Sequence, residues 1–427
     1  MASCVNTLKV HLLASAQHLM ETTGKISSLA LPTGCRSGED AVPWRLNGHT
    51  PVHPLHGMAS RVGGFPPQLP RYFIQRFTKP GDLVCDPFCG KGTTLLEAVS
   101  LGRRALGCDI GPDAVVLSRA KTDWPSLGEI LGYVSRLPRN STSQDVPPNV
   151  RLFFHRRTLA QILAIRERLL ADMAIECAPR RRLAQFSMAV LLGILHGRSR
   201  VSLSLPCNHA FAMSPSYVRK YAREHNLKRM ARDVMECMTT RILAMLPGPR
   251  AKAAAHIYEA DSQTMTFNRN GNWSGRVDLI ITSPPYLARQ TYVKDSWLRL
   301  WLLNRDPKLV RARSLETGDI LKFVEMMERC LSESMRLLKP GGRCLLVCGT
   351  SHCSLSGKRT KVPIGGLVML AARNVRLAGY RWEVDSYIED KIVLKRGSYF
   401  AVRSGGDLQD SRRRLGEDQI VSLVKAD

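Results

Sequence analysis

Short apolar runs rich in β-branched residues alternate along this chain with segments whose apolar positions recur every three or four residues. Runs at Asp82–Pro87, Arg104–Asp109, His256–Asp261, Val277–Thr282 and Arg343–Gly349 read as strands. Arg381–Ile388 and Ile392–Phe400 read as a closing antiparallel pair. Strands that alternate with helices predict an α/β fold, a mostly parallel sheet covered on both faces. Between the second and third strands the helical pattern takes over. Leu159, Ile162, Leu163, Leu169 and Leu170 share one face, while Arg156, Arg157, Arg166 and Arg168 supply a charged one. Ala184–Leu195 is apolar nearly all round, as a buried helix is, and Tyr217–Met245 mixes periodic apolar residues with Arg219, Lys220, Arg223, Lys228, Arg229 and Arg232.

Punctuation divides the chain. Asp123–Val150 is rich in Pro and Ser and reads as a linker into the helical stretch. From Arg403 onward the chain is Gly-rich, charged and poor in aromatics, which predicts a mobile tail. The predicted organisation is an N-terminal extension (1–49), a first core segment (50–122), a linker with a mostly helical insertion (123–254), a second core segment (255–402) and the tail (403–427).

At 427 residues the chain has room for two domains, and its 44% hydrophobic and 23% charged composition excludes a wholly disordered or fibrous class. No run approaches the roughly 18 apolar residues that cross a bilayer. The Val10–Ala14 stretch is too short for a signal-peptide core, so a cytoplasmic location is expected. The cysteines are scattered, and the spacings Cys85/Cys89 and Cys344/Cys348 are not CxxC, so reduced thiols are expected. Charge adds the first functional clue. Lys and Arg number 62 against 36 Asp and Glu, a net +26, which favours a polyanionic partner, nucleic acid before membrane. Residues 151–250 hold 18 Lys/Arg and 6 Asp/Glu, so +12 of that excess sits in the insertion, where Arg180, Arg181 and Arg182 are expected to meet phosphates.

The first chemical motif is Asp86-Pro87-Phe88-Cys89-Gly90-Lys91-Gly92-Thr93-Thr94, between a strand and the helical run Leu95–Leu101. Gly90 and Gly92 let the backbone turn tightly and approach a ligand, with Thr93 or Thr94 predicted to cap the helix. Asp109 ends the next strand, the place for a carboxylate that holds the ribose hydroxyls of a nucleoside cofactor. A phosphate-binding P-loop needs Ser or Thr directly after Gly-Lys, where Gly92 stands. A dinucleotide fingerprint needs Gly or Ala where Leu95 stands.

The second motif is Asp278-Leu279-Ile280-Ile281-Thr282-Ser283-Pro284-Pro285-Tyr286, an apolar strand that runs into Ser-Pro-Pro-Tyr. The prolines stiffen an extended loop and leave carbonyls free to accept. A Ser hydroxyl beside an exposed carbonyl suits a planar amino group, and the Tyr can stack on a base. His196, Cys207 and His209 lack the paired spacing of a metal site, so no metal is expected.

The two motifs together resemble those of the amino-methylating DNA methyltransferases, which use S-adenosyl-L-methionine to methylate cytosine N4 or adenine N6. The lead-in Phe65–Ile74 is similar to their methionine-binding segment, and Leu337-Leu338-Lys339-Pro340-Gly341-Gly342 is common in methyltransferases generally. The resemblance implies a Rossmann-like methyltransferase sheet, with 50–122 its cofactor-binding part, 255–402 its catalytic part and the basic insertion a candidate DNA-recognition region. It assigns Asp86, Phe88, Gly90, Gly92 and Thr93 to the cofactor turn, Asp109 to the ribose and Asp261 to the adenine amino group. Ser283, Pro284, Pro285 and Tyr286 become the base-holding catalytic loop. The partner implied is double-stranded DNA with its target base flipped out, and a restriction–modification context adds a cognate restriction endonuclease. Ser as the leading residue favours cytosine, yet adenine enzymes also carry it. Many cytosine-N4 members place Pro-Pro-Tyr first, whereas this chain places glycine first. An adenine-N6 enzyme, an RNA base methyltransferase and an inactive DNA-binding relative are the alternatives.

Overall fold

The computed structural model describes residues 2–22, 52–60, 64–141, 146–206, 214–246, 248, 253–268, 272–287, 292–314, 317–355, 358–393 and 415–427. Cys207 and His209 lie outside the described residues.

The apolar runs form the strands they predict. β1 (Leu83–Asp86), β2 (Arg104–Asp109), β3 (Ala255–Glu259) and β4 (Val277–Thr282) pair in parallel in the order β3-β2-β1-β4. β5 (Leu338–Leu355) continues in parallel beside β4. All four residues of β1 and five of the six in β4 are buried, which is why these strands read as continuous apolar runs and do not alternate. Strand order reverses between β1 and β4. A ligand crevice is expected outside the carboxyl ends of the strands at such a switch point, and both chemical motifs leave the sheet there.

The far edge corrects the sequence reading. β6 (Lys358–Pro363) folds back on β5, while β7 (Arg376–Leu377) and β8 (Tyr380–Val393) lie at the sheet edge. The expected hairpin partner of β8 is not Ile392–Phe400: Ile392 and Val393 end β8 itself, and 394–400 lie outside the described residues. The partner is β9 (Leu415–Ala426), which is inserted antiparallel between β5 and β8. The segment expected to be a mobile tail is thus an interior strand over these residues. Its Ile420-Val421-Ser422-Leu423 core was hidden among flanking charges, and Ile420, Val421 and Leu423 are fully buried.

The helices cover both faces. Within the expected linker, Ser126 and Glu129 form a capping box that starts a helix at Leu127–Val134, with Ile130 and Val134 buried. The insertion is helical as predicted, with helices at Arg156–Ala174, Ala178–Ile194, Pro215–Glu224 and Val234–Met245. It is not a separate globule. One continuous apolar cluster runs from Val84, Leu95 and Leu96 through Phe186 and Leu191 to Val218 and Ile242. Of the N-terminal extension, Ala2–Thr22 is a helix that packs on the Ile364–Asn374 helix, where Lys9 Nζ donates to Asp319 Oδ2 at 2.7 Å.

Candidate active site

The glycine turn joins the end of β1 to the helix Thr93–Ser100. Gly92 takes the left-handed conformation at φ 73°, and a Cβ there would lie 2.7 Å from Ser118 Oγ, so only glycine fits. It is also the residue that precedes the helix, and neither Thr93 nor Thr94 caps it. Thr94 Oγ1 donates instead to the Ile281 carbonyl at 3.4 Å. The lead-in is bound to the same helix: buried Glu97 receives Arg71 Nη1 at 2.9 Å and contacts His56 Nε2 at 2.7 Å.

The two motifs meet at Asp86. Thr282 Oγ1, at the end of β4, donates to Asp86 Oδ1 at 2.6 Å, and the Phe88 amide donates to the same oxygen at 3.2 Å. These partners stand 196 positions apart in sequence. Asp109 ends β2 with its carboxylate held by two amides, Gly90 N at 2.9 Å and Gly111 N at 2.7 Å. The ribose candidate is therefore fixed by the glycine turn it serves.

One cavity collects these groups. Of the expected site residues, Asp86, Phe88, Gly90, Thr93, Asp109, Ser283 and Pro285 line it. Gly92 lies beneath the turn, and Pro284 is buried off the wall. Asp261 is not on the wall, because its carboxylate accepts the Gln263 amide at 2.8 Å within its own turn; the next residue, Ser262, lines the cavity and donates to the Pro87 carbonyl. Tyr286 is half-buried, with its ring edge against Gly349 of β5, and Ser283 Oγ donates to its hydroxyl at 3.3 Å. Sequence reasoning missed Asp113, Tyr292, Ser296 and the small apolar cluster of Val293, Leu300 and Val310. Asp113 had a signal, an acid in the first turn of the helix after β2. The others carry none.

Burial sets the electrostatics. It pushes the Asp86 carboxyl up to about 6, against the pull of Thr282, Thr94 and the Phe88 amide. The folded protein therefore favours protonated Asp86. Its contribution is full below the ordinary carboxylate range and lost as pH rises through 6, a span worth about 3 kcal/mol. Asp86→Asn keeps the acceptor for Thr282 and Phe88. It should melt above the parent at pH 8, with the gap closing toward pH 5 in thermal scans; an equal gap at both would show that Asp86 ionisation does not limit stability. Burial, then Asp109 and Asp86, push the Cys89 thiol well above its ordinary value, so the cysteine on this wall stays neutral.

A parallel sheet that reverses at β1/β4, with a glycine turn and an acid-tipped β2 at the reversal, defines a nucleoside-cofactor α/β protein. Residues 51–119 match the family model of a DNA methylase, the N6 and N4 amino-methylating type. The chain is 39% identical over 67 residues to Type II methyltransferase M.MjaII of Methanocaldococcus jannaschii, covering 16% of this chain and 13% of that protein. It is 43% identical over 54 residues to Type II methyltransferase M.XycI of Xanthomonas campestris pv. cyanopsidis, covering 13% and 18%. With Type II methyltransferase M1.MboII of Moraxella bovis it shares 33% over 88 residues, 20% and 32%. The matches span less than a third or so of each relative. They place the cofactor-binding segment in the family of amino-methylating, S-adenosylmethionine-dependent DNA methyltransferases, with S-adenosylmethionine as cofactor. Among the described residues no helix is long and apolar enough to cross a membrane, and no cluster of His, Cys, Asp or Glu could hold a metal ion.

Proposed function

We infer that this protein is a DNA methyltransferase that methylates an exocyclic amine, with cytosine N4 as the target. The observation that carries the reading is the Thr282–Asp86 hydrogen bond, which brings the glycine turn and Ser-Pro-Pro-Tyr to one cavity. The cavity's groups suit the cofactor chemically: a buried carboxyl at Asp86, a fixed carboxylate at Asp109, and apolar surface from Phe88 and Ile110. When bound, the cofactor supplies the electrophilic methyl of its sulfonium.

The chain's own residues do the rest. Asp109, with its oxygens oriented by Gly90 and Gly111, takes the ribose hydroxyls, while Ile110 and Ser262 flank the adenine. Ser283 Oγ and the Pro284 carbonyl accept the two hydrogens of the target amine. That draws the nitrogen toward a tetrahedral form and frees its lone pair for in-line attack. No thiolate is required, in keeping with a neutral Cys89. The base is out of reach inside a duplex and must be flipped, at a cost of a few kcal/mol. In calorimetry, Asp109→Ala should weaken S-adenosylmethionine binding at least about a hundredfold, since charge-assisted ribose contacts are lost; unchanged affinity in a folded variant would remove the ribose assignment.

The DNA-facing surface differs from the one first expected. Arg180 is paired with Asp172 at 2.9 Å and Arg182 with Glu129 at 3.1 Å, so this triplet is engaged within the protein. A second basic face is open. Residues 219–232 lie across 149–158: Arg219 reaches Asn149 Oδ1 at 3.5 Å, Arg229 reaches the Arg151 carbonyl at 2.9 Å, and Thr158 Oγ1 donates to the Arg232 carbonyl at 2.9 Å. Arg156, Arg157, Arg223 and Lys228 are exposed there. Reversing these four charges should flatten the salt dependence of DNA affinity by about three to four in log–log slope. An unchanged slope would move the phosphate track elsewhere. A cytoplasmic location and a cognate restriction endonuclease complete the proposal.

A further inference from the structure

The cavity has a cationic end that the assignments above leave unused. Lys91 stands between the two glycines of the turn and lines the cavity, with its Cε and Nζ close over Gly64 of the lead-in: a Cβ on Gly64 would lie 3.2 and 3.6 Å from them. Two more cations sit beside it. Lys121, fully buried, donates from Nζ to the Lys91 carbonyl at 2.7 Å. Arg299, with its side chain 12% exposed, holds the Ser60 carbonyl at 2.7 Å and stands 3.8 Å from Asp113. The acids in this neighbourhood are Asp113 and Glu97, and Glu97 already serves Arg71 and His56. Positive charge is therefore in excess at a partly enclosed wall. Burial and Arg299 push the Lys91 ammonium below its ordinary value, and burial, Lys91 and Arg299 do the same more strongly to Lys121. Such a cluster gains from an anion delivered by a ligand.

Across the same cavity stands the buried Asp86 carboxyl. A carboxyl and an ammonium that face one space complement an α-amino acid, whose own ammonium and carboxylate carry the opposite charges. We propose that Lys91, backed by Arg299 and Lys121, binds the carboxylate of the cofactor's amino-acid end while Asp86 takes its ammonium. This rests on the cofactor reading above. The bond is charge-assisted and half-shielded from water, so its loss is expected to cost about tenfold or more in affinity.

Calorimetry on the full chain with two ligands tests the assignment: S-adenosylmethionine, and its decarboxylated form, which keeps the ammonium and lacks only the carboxylate. The parent protein should prefer the intact ligand by about tenfold or more. Lys91→Met should erase that preference and leave affinity for the decarboxylated ligand unchanged, which also reports that the variant is folded. Equal weakening toward both ligands would make Lys91 a structural residue and overturn the proposal. So would an intact preference, including one accompanied by a flatter salt dependence of DNA binding, which would give Lys91 to a phosphate. A parent protein that binds neither ligand would sink the cofactor reading itself, and this assignment with it.

Discussion

Tyr286→Ala is expected to bind S-adenosylmethionine as the parent does and to transfer methyl about a hundredfold more slowly or worse. The residue is not on the cofactor wall, so the glycine turn and Asp109 keep their geometry. What is lost is a ring that stacks on the flipped base, worth about 1–3 kcal/mol, together with the alignment of the amine. The ring is placed by Gly349, where a Cβ would come within 2.8 Å of Tyr286 Cε2. Burial, and then Asp418 of β9, push its phenol well above the ordinary value, so it remains a neutral hydroxyl beside Ser283. Tyr286→Phe keeps the ring and removes the partner of Ser283 Oγ, so a loss of only a few fold is expected. Single-turnover transfer of labelled methyl to duplex DNA measures both variants. Full activity in Tyr286→Ala would take the base pocket away from this loop.

A chain that ends at Arg414 is expected not to fold. β9 pairs with β5 from Arg343↔Val424 to Gly349↔Asp418 and with β8 from Arg381↔Ala426 to Val393↔Leu415. Its removal leaves two facing ladders without partners in the middle of a sheet. Three fully buried side chains are lost with it, each worth about 1.5–3 kcal/mol, and that sum is comparable to the whole stability of an ordinary domain. Gln419 and Lys425 add polar ties, to the Gly365 amide at 2.9 Å and the Leu338 carbonyl at 2.8 Å. The shortened chain should show no cooperative thermal transition; a melting curve like the parent's would mean that β9 is dispensable.

The parallel half of the sheet was legible because its strands are continuous apolar runs bounded by turns, and β2 and β4 fall at their expected limits. β9 was not, since four buried apolar residues among eight charged or polar ones look like a solvated tail until a neighbouring strand supplies the pairing. The capping box at Ser126 and Glu129 was present in the sequence but was masked by the surrounding prolines. In the site, residue type and position sufficed for Asp86, Gly90, Asp109 and Ser283, which serve through local turns. They failed for Asp261 and for the Arg180–Arg182 triplet. In both cases a competing partner decided the outcome: the Gln263 amide in one, Asp172 and Glu129 in the other. Such partners are set by tertiary packing, and no local pattern encodes them.

The central claim is transfer of a methyl group to an exocyclic amine of DNA. The most direct test is to incubate the full chain with duplex DNA and S-adenosylmethionine labelled in its methyl group, digest the DNA to nucleosides and identify the labelled product by mass spectrometry. The proposal predicts label in N4-methylcytosine, absent when Tyr286 is replaced by alanine. Label in N6-methyladenine would keep the amine chemistry and change the base. Label at carbon 5 of cytosine, or DNA that stays unlabelled, would contradict the account.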